Sequence, residues 1–215
     1  MSREEYDREK PSLEQWVPRT QLGKMVKEGQ ITSIYDIFRE RNKVREVEII
    51  DFLVPDLKDE VIDISLVQKQ TDAGENSRFR AVVAVGNGNG LIGIGTGKAK
   101  RVRNAIEKGI RTAKLNLYPI QRGCGSWECG CGEQHSVPYK VTGKSGSVII
   151  TLFPAPQGLG QVVGDNAKVV LTLAGIKDCW SNAVGATSTP TSFAFATFEA
   201  LKQTAKIMTP QEWAK

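Results

Sequence analysis

Residues 78–120 are RFRAVVAVGNGNGLIGIGTGKAKRVRNAIEKGIRTAKLNLYPI, and the pattern of this stretch decides the fold. The apolar run 81–85 is rich in valine and too short for a helix, so it predicts a buried strand. Residues 86–90 alternate between Gly and Asn, which tolerate positive φ, and predict a hairpin turn. A second strand is expected over residues 91–95, so the stretch begins as an antiparallel hairpin.

A helix is predicted from Lys98 onward, because the apolar residues change to a helical spacing there. They fall within one arc of roughly 100° on a helical wheel and form an amphipathic core stripe: Val102, Ile106, Ile110, Ala113 and Leu117. The other side of the helix is basic: Lys100, Arg103, Lys108, Arg111 and Lys114. Glu107 is the only acidic residue of this helix.

The glycines of this stretch do not form a nucleotide-binding motif. A P-loop needs Ser or Thr after Gly-Lys, but Gly97-Lys98 is followed by Ala99. The string GxGxxG at 88–93 would have to open a helix directly, and here a second strand intervenes. Glycines in a strand let another chain approach its backbone closely. With a basic helix alongside, we expect that neighbour to be the phosphate backbone of a nucleic acid.

Charge is distributed very unevenly along the chain. The formal net charge is +5 over 215 residues. Residues 78–144 contain 12 Lys and Arg but only 3 Asp and Glu, whereas residues 1–56 contain 10 and 12. A strongly basic middle flanked by neutral or acidic segments is typical of a nucleic-acid-binding protein.

The rest of the chain predicts an α+β protein. In residues 1–56, an N-terminal extension, Ser33 and Asp36 predict a short capped helix through Phe38, and a buried run over 47–53 ends at Pro55. Residues 61–70 predict a strand and 71–77 a polar turn. With the hairpin and helix described above, residues 57–120 form three antiparallel strands and a helix, similar to a double-stranded-RNA-binding domain, which recognises the shape of RNA.

After a Cys/Gly-rich linker over residues 121–136, residues 137–215 predict a small α/β domain. We expect strands over 148–153 and 178–184, and between them a helix capped by Asp165 or Asn166 and ended by Gly175. A last helix should begin at Thr191 or Ser192. Its core stripe would be Phe195, Phe198, Leu201, Ala205 and Met208.

The sequence VAVGNGNGLIGIGTGKAKRVRNAIEKGIRTAKLNL resembles the signature of the universal fifth protein of the small ribosomal subunit. The similarity rests on the turn at 85–90, the Gly-x-Gly strand at 93–97, Lys98-Ala99 and Ala105-Ile106. It continues at 137–138, 141–144, 154–158 and 174–176, and so covers most of residues 57–208. Residues 16–31 look like the archaeal and eukaryotic branch. Asn87 departs from the Asp that is frequent in the family.

This resemblance implies a structural protein of the cytoplasmic ribosome that binds small-subunit ribosomal RNA, contacts the fourth small-subunit protein and supports decoding accuracy. It also implies a left-handed βαβ crossover in the second domain, an ordered N-terminal arm, and contact between the 69–80 hairpin loop and ribosomal RNA. The residues predicted to contact RNA are Lys69, Arg78, Arg80, Asn87, Gly88, Asn89, Gly90, Lys98, Lys100, Arg101, Arg103, Arg111, Arg122, Lys140 and Lys144.

Three of the four cysteines and the only histidine lie within the linker. Cys124, Cys129, Cys131 and His135 have the spacing C-x4-C-x-C-x3-H, and interspersed glycines allow the tight turns of a small metal loop. Three thiolates and an imidazole are a ligand set that zinc accepts tetrahedrally. The spacing is not one of the common zinc-finger patterns, so a plain glycine-rich linker with incidental cysteines remains the alternative. Cys179 lies in an apolar context and is expected in the core.

No arrangement of an enzyme is recognisable in the sequence. The only histidine belongs to the cysteine group, no nucleophile has a free base nearby, and the basic middle lacks the clustered carboxylates of a metal-dependent nuclease. No apolar run is long enough to span a membrane, no signal peptide is evident, and no small-molecule substrate is expected. The alternatives to a ribosomal protein are a free-standing regulator that binds duplex RNA and, less favoured, a zinc-dependent enzyme acting on RNA.

Overall fold

The structure is a computed structural model and describes residues 16–40 and 42–206. These residues belong to two compact units, which divide between Pro55 and Asp56. No helix in the described ranges is long and apolar enough to cross a membrane.

The described residues of the N-terminal unit form three short helices: α1 (Gln21–Lys27), α2 (Ile34–Arg39) and α3 (Val47–Leu53). The predicted helix after Ser33 is confirmed as α2, and the Ser33 side chain accepts a hydrogen bond from the Tyr35 amide at 3.3 Å. Val26, Ile37 and Ile49 form a small buried cluster between the helices. Residues 16–40 and 42–55 thus contain helices that share a small core of their own. Residues 1–15 of the predicted arm lie outside the described part.

Glu46, the residue just before α3, binds the segment that precedes α1 through its side chain. Its carboxylate accepts hydrogen bonds from the Thr20 amide at 2.6 Å, the Arg19 amide at 3.0 Å and the Trp16 indole Nε1 at 3.2 Å. Burial raises the pKa of the Glu46 carboxyl, but these hydrogen bonds outweigh burial and leave the pKa below the ordinary 4.5. The charged form is therefore the one that the fold stabilises.

The second unit begins with an antiparallel sheet of four strands in the order β1 (Lys58–Thr71), β2 (Gly74–Gly86), β3 (Leu91–Ala99) and β4 (Tyr118–Pro119). The predicted strands are present but longer than expected. The polar turn predicted over 71–77 is wrong in extent, because β1 and β2 stay paired up to Thr71 and Gly74. Polar side chains there lie on an exposed ribbon, where strand pairing does not require apolar residues.

Helix α4 (Val102–Leu115) covers one face of this sheet at backbone contact distance. A Cβ atom added to Gly93, Gly95 or Gly97 would lie 2.3, 2.2 or 2.1 Å from backbone atoms of α4. No L side chain fits there, so the three glycines allow the helix to pack on β3. The interpretation that these glycines make room for a phosphate backbone is therefore wrong, since the chain's own helix occupies that space.

A second sheet follows in the order β5 (Val141–Ser145), β6 (Val148–Pro154), β8 (Cys179–Val184) and β7 (Gln161–Val162). Strands β7 and β8 are parallel and are connected by α5 (Asp165–Ala174), while the other pairs are antiparallel. The last helix up to residue 206 is α6 (Pro190–Thr204). Strand β5 was not predicted, because Val141 and Gly143 alone carry its apolar alternation.

Helix α4 begins at Val102, four residues after the predicted start at Lys98, because β3 continues to Ala99. The starts of α5 and α6 differ from the predictions by only one or two residues. Asp165 is the first residue of α5 rather than its cap, which is Gly164, and α6 starts at Pro190 after the cap Thr189. Proline is favoured in the first helical turn because its missing N–H would have no partner there. Gly175 ends α5 with φ of 82°, as predicted. Met208, the last residue of the predicted core stripe, lies outside the described residues.

One hydrophobic cluster joins the two sheets. Along β2, Ala81, Val83 and Val85 point to α4, whereas Val82 and Ala84 point to the opposite face, as strand alternation requires. That opposite face packs against residues of the second sheet and of helices α5 and α6: Val148, Ile150, Leu152, Leu171, Phe198 and Leu201. The first sheet is therefore buried on both faces around its centre.

We predict that Gly95→Ala destabilises the protein by about 1–3 kcal/mol or more, because the new methyl group would overlap the backbone of α4. Gly130→Ala is the control, since a Cβ at Gly130 meets nothing within 4 Å. Denaturant unfolding of both variants measures the difference. An unchanged midpoint for Gly95→Ala would contradict the packing of α4 on β3.

We also predict that Glu46→Ala weakens the N-terminal unit by about 1–3 kcal/mol at neutral pH, since its carboxylate holds three donors. The folded-state pKa lies below 4.5, so this contribution is complete above that value and is lost as the pH falls through the folded pKa. Amide hydrogen exchange at Thr20 measures it, with Glu48→Ala as the control. Equal exchange in both variants would rule out the role of Glu46.

Candidate functional site

The predicted basic residues near the end of β3, in the turn that follows and on α4 have exposed side chains. Lys98, Lys100, Arg101, Arg103 and Arg111 are exposed, whereas Ala105, Ile110 and Ala113 on the opposite side of the helix are buried. The amphipathic pattern predicted for this helix is confirmed. Arg103 forms an ion pair with Glu107 at 3.1 Å on the same face.

The basic residues of the β1–β2 hairpin differ in their surroundings. Lys69 and Arg78 are exposed near the end of the hairpin. Arg80 is half-buried and donates hydrogen bonds to Ser65 Oγ at 3.3 Å and to Thr191 Oγ1 at 3.4 Å. Its guanidinium therefore has partners within the chain, which the sequence did not indicate.

The glycine-rich turn between β2 and β3 is docked against the C-terminal end of α5. The amides of Gly88 and Gly90 donate to the carbonyl oxygens of Leu173 and Ala174 at 2.8 and 3.1 Å. Asn87 stabilises the turn itself, because its Oδ1 accepts from the amides of Asn89 and Leu91 at 2.8 and 3.0 Å. The Gly88 and Gly90 amides thus donate to carbonyl groups that the end of α5 leaves without intrahelical partners.

Arg122 reinforces this docking. Its guanidinium donates to the carbonyl oxygen of Gly175 at 3.4 Å and forms a short hydrogen bond with Asn89 Oδ1. Lys140 and Lys144 are exposed on and next to β5, with Lys140 Nζ lying 5.2 Å from the centre of the Phe153 ring. Five of the fifteen predicted RNA-contacting residues thus lie on or beside α4, and the turn residues have structural roles as well.

The linker brings its three cysteines and its histidine together. The ligand atoms of Cys124, Cys129, Cys131 and His135 all lie within 4.8 Å of one another. Cys129 Sγ is 3.3 Å from Cys131 Sγ and 3.8 Å from His135 Nε2. Tetrahedral zinc with sulfur ligands at about 2.3 Å places those sulfurs about 3.8 Å apart. The group can therefore hold a metal ion after only small side-chain movements.

The backbone of the linker is closed at its base. Gly123 and Ser136 form an antiparallel bridge with hydrogen bonds of 2.8 and 2.9 Å, and the Ser136 hydroxyl accepts from the Ala155 amide at 3.1 Å. Ser136 is fully buried. The segment is thus a small loop whose two ends are paired with each other.

The pKa values of the Cys129 and Cys131 thiols are shifted in opposite directions. Amide groups of Cys131 and Gln157 donate to the Cys129 sulfur and lower its pKa to about 6. The Glu133 amide lowers the pKa of Cys131, but the neighbouring sulfurs of Cys129 and Cys124 outweigh it and raise this pKa to about 11. The Cys129 thiolate therefore forms easily, and its negative charge opposes ionisation of the Cys131 thiol. A cation bound between the two sulfurs would relieve this repulsion.

His135 is held by a residue that sequence reasoning missed. Its Nδ1 lies 2.9 Å from Oδ2 of Asp178, and both side chains are buried. Burial lowers the pKa of His135, but the contacts with Cys124, Cys129 and Asp178 outweigh it and raise the pKa. No local spacing could have identified Asp178, which is 43 residues away from His135 in sequence.

Cys179, the fourth cysteine, is separate from this group. It is fully buried in the core of the second sheet, as predicted, and burial raises the pKa of its thiol to about 12. It therefore serves as a small apolar core residue.

Comparison with known proteins gives two family matches and many close relatives. Residues 57–121 match the N-terminal domain of ribosomal protein S5, and residues 143–215 match its C-terminal domain. The small ribosomal subunit protein uS5 of Ignicoccus hospitalis is 59% identical over 204 residues, covering 95% of this chain and 97% of the relative. The uS5 protein of Aeropyrum pernix is 59% identical over 203 residues, covering 94% and 93%. That of Saccharolobus solfataricus is 54% identical over 209 residues, covering 96% and 98%.

Proposed function

The chain belongs to the ribosomal protein S5 family, and we infer from this membership that it is a structural constituent of the small ribosomal subunit in the cytoplasm. There it binds small-subunit ribosomal RNA and supports translational accuracy. The family is structural rather than enzymatic, so the RNA-acting enzyme and the free-standing regulator are set aside. The archaeal relatives agree with the branch indicated by the N-terminal residues.

The exposed basic face of α4 is the observation that supports a specific RNA contact. Arg103 and Arg111 lie on α4, Lys100 and Arg101 lie in the turn before it, and Lys98 lies near the end of β3. Cationic groups that neutralise phosphates release counterions and so supply sequence-independent affinity. We also propose RNA contacts for the other predicted residues, which lie away from α4: Lys69, Arg78, Arg80, Asn87, Gly88, Asn89, Gly90, Arg122, Lys140 and Lys144. Arg78 and Lys69 would reach RNA through the β1–β2 hairpin.

The family membership also supports a proposal for the domain division of the chain. Strands β1 to β3 with α4 act as a module similar to a double-stranded-RNA-binding domain over residues 57–120, followed by the linker 121–136 and an α/β domain over 137–215. The β7–α5–β8 crossover takes the left-handed sense that the family implies. Neighbouring small-subunit proteins, including the fourth, are its protein partners.

The cysteine group binds a structural zinc ion. Three sulfurs and the Nε2 atom of His135 supply four protein ligands, so no coordination position remains for a reacting water molecule. The ion would hold residues 124–135 as one rigid loop. This proposal is supported by the compactness of the group and by the ease with which Cys129 ionises.

We predict that the double substitution Lys98→Ala and Lys100→Ala lowers affinity for ribosomal RNA and reduces the slope of log affinity against log salt by up to about 1.8, or 0.9 for each lost phosphate contact. The control is Lys168→Ala with Lys177→Ala, which removes the same charge from exposed positions on and after α5. Filter binding across a salt series measures both slopes. The same slope in the two double variants would exclude phosphate contact at Lys98 and Lys100.

We predict about one zinc ion per chain in protein purified without chelator, and loss of that ion in Cys129→Ser and in Cys131→Ser, because each removes a thiolate ligand. Elemental analysis of the full chain measures the ratio. Cys179→Ala is the matched control, since it removes a cysteine outside the group, and should retain the ion. Substoichiometric metal in the unsubstituted protein, with thiols that react freely in the native state, would rule out the site.

A further inference from the structure

Asp178 is the only carboxylate that is buried among the described residues, and it lies just before β8 in the second sheet. A buried carboxylate is costly unless its oxygens accept hydrogen bonds. Its Oδ2 contacts His135 Nδ1 at 2.9 Å. Its Oδ1 accepts from the amides of Gly158 and Gly160 at 3.1 and 2.8 Å. Both oxygens are therefore in use, one on the cysteine group and one on a loop of the α/β domain.

The backbone around this contact is also paired. The carbonyl oxygen of His135 accepts from the amides of Lys177 and Asp178 at 2.8 and 3.1 Å. The histidine is thus attached to the 177–178 segment by its main chain as well as by its ring. In the observed ring orientation Nδ1 meets the carboxylate, while Nε2 points to the sulfurs and lies 3.8 Å from Cys129 Sγ.

We propose that Asp178 is the positioning residue of the cysteine–histidine metal site, and that it holds His135 in the tautomer that ligates through Nε2. The inference rests on the zinc site proposed above. A carboxylate only accepts hydrogen bonds, so the proton of the neutral imidazole stays on Nδ1 and the lone pair of Nε2 faces the metal. Such carboxylate–histidine–metal arrangements set ring orientation and strengthen the ligand.

The same carboxylate carries the effect of the metal into the α/β domain. Residues 157–160 contact the ligand Cys129 directly and the ligand His135 through Asp178. The Gln157 amide donates to the Cys129 sulfur, and the Gly158 and Gly160 amides donate to the Asp178 carboxylate. Gln157 Nε2 also donates to Glu133 at 3.2 Å. Metal binding therefore orders this loop together with the linker, and amide exchange at Gly158 and Gly160 slows when zinc is added.

The test uses the full chain and measures zinc affinity by competition with a chelating dye. Asp178→Asn keeps the shape and an oxygen for the glycine amides, but its NH₂ group donates to Nδ1 and drives the proton to Nε2. We expect zinc affinity to fall 10–100-fold while saturating zinc still gives one ion per chain. Asp165→Asn, the same change at the start of α5, should leave the affinity unchanged.

A double-mutant cycle separates positioning from general damage to the fold. In the His135→Cys background the fourth ligand is a thiolate with no tautomer, so adding Asp178→Asn should no longer change the affinity. An equal loss in both backgrounds would overturn the inference and make Asp178 a purely structural residue.

The unsubstituted protein provides a measurement that does not depend on whether Asp178→Asn folds. The chain contains one histidine, so a long-range ¹H–¹⁵N spectrum shows a single imidazole without assignment. We expect protonated Nδ1 and zinc-bound Nε2, and coordination through Nδ1 would overturn the inference alone. A chain that binds no zinc at all would overturn the zinc site as well, so the two failures are distinguishable.

Discussion

The structure of the second unit depends on backbone-to-backbone contact between β3 and α4. Gly93, Gly95 and Gly97 follow one another at every second position, so all three lie on the same face of the strand. Their missing side chains form a groove in which the helix sits, with hypothetical Cβ atoms only 2.1–2.3 Å from its backbone. Gly109 on the helix completes the contact against Val83. The basic residues of α4 are consequently presented on a helix that packs at backbone contact distance on its sheet.

The local sequence pattern was enough to predict this helix with its apolar and basic faces. It did not show that the three glycines of β3 make room for that helix. The apolar stripe and the basic face follow from a 3.6-residue period that any neighbour would preserve. What fills a glycine groove depends on residues distant in sequence, and a helix from the same chain competes there with any ligand. The same limit explains the turn at 86–90, whose Gly and Asn residues indicated positive φ but not its docking on the carbonyl end of α5.

The metal group shows a similar division between local and distant information. Four ligands within twelve positions are a local signal, and the structure brings their atoms within 4.8 Å. Asp178 contacts His135 only because the fold brings together residues 43 positions apart. Thr191 accepts a hydrogen bond from Arg80 in the same way, across 111 positions. Helix boundaries lie between these cases: Pro190 could have been recognised as a first-turn residue from the sequence, whereas short β5 gained its place only through pairing with β6.

The hairpin of β1 and β2 has a mechanical consequence. Strand β3 pairs with β2 only as far as Phe79, whereas β1 and β2 continue together to Thr71 and Gly74. Beyond that point the chain is a ribbon two strands wide that extends for five residue pairs, or roughly 17 Å. A two-stranded ribbon without a covered face is only marginally stable by itself. It is therefore compliant where the rest of the sheet is stiff, and it can bend to follow an irregular surface while its base remains clamped.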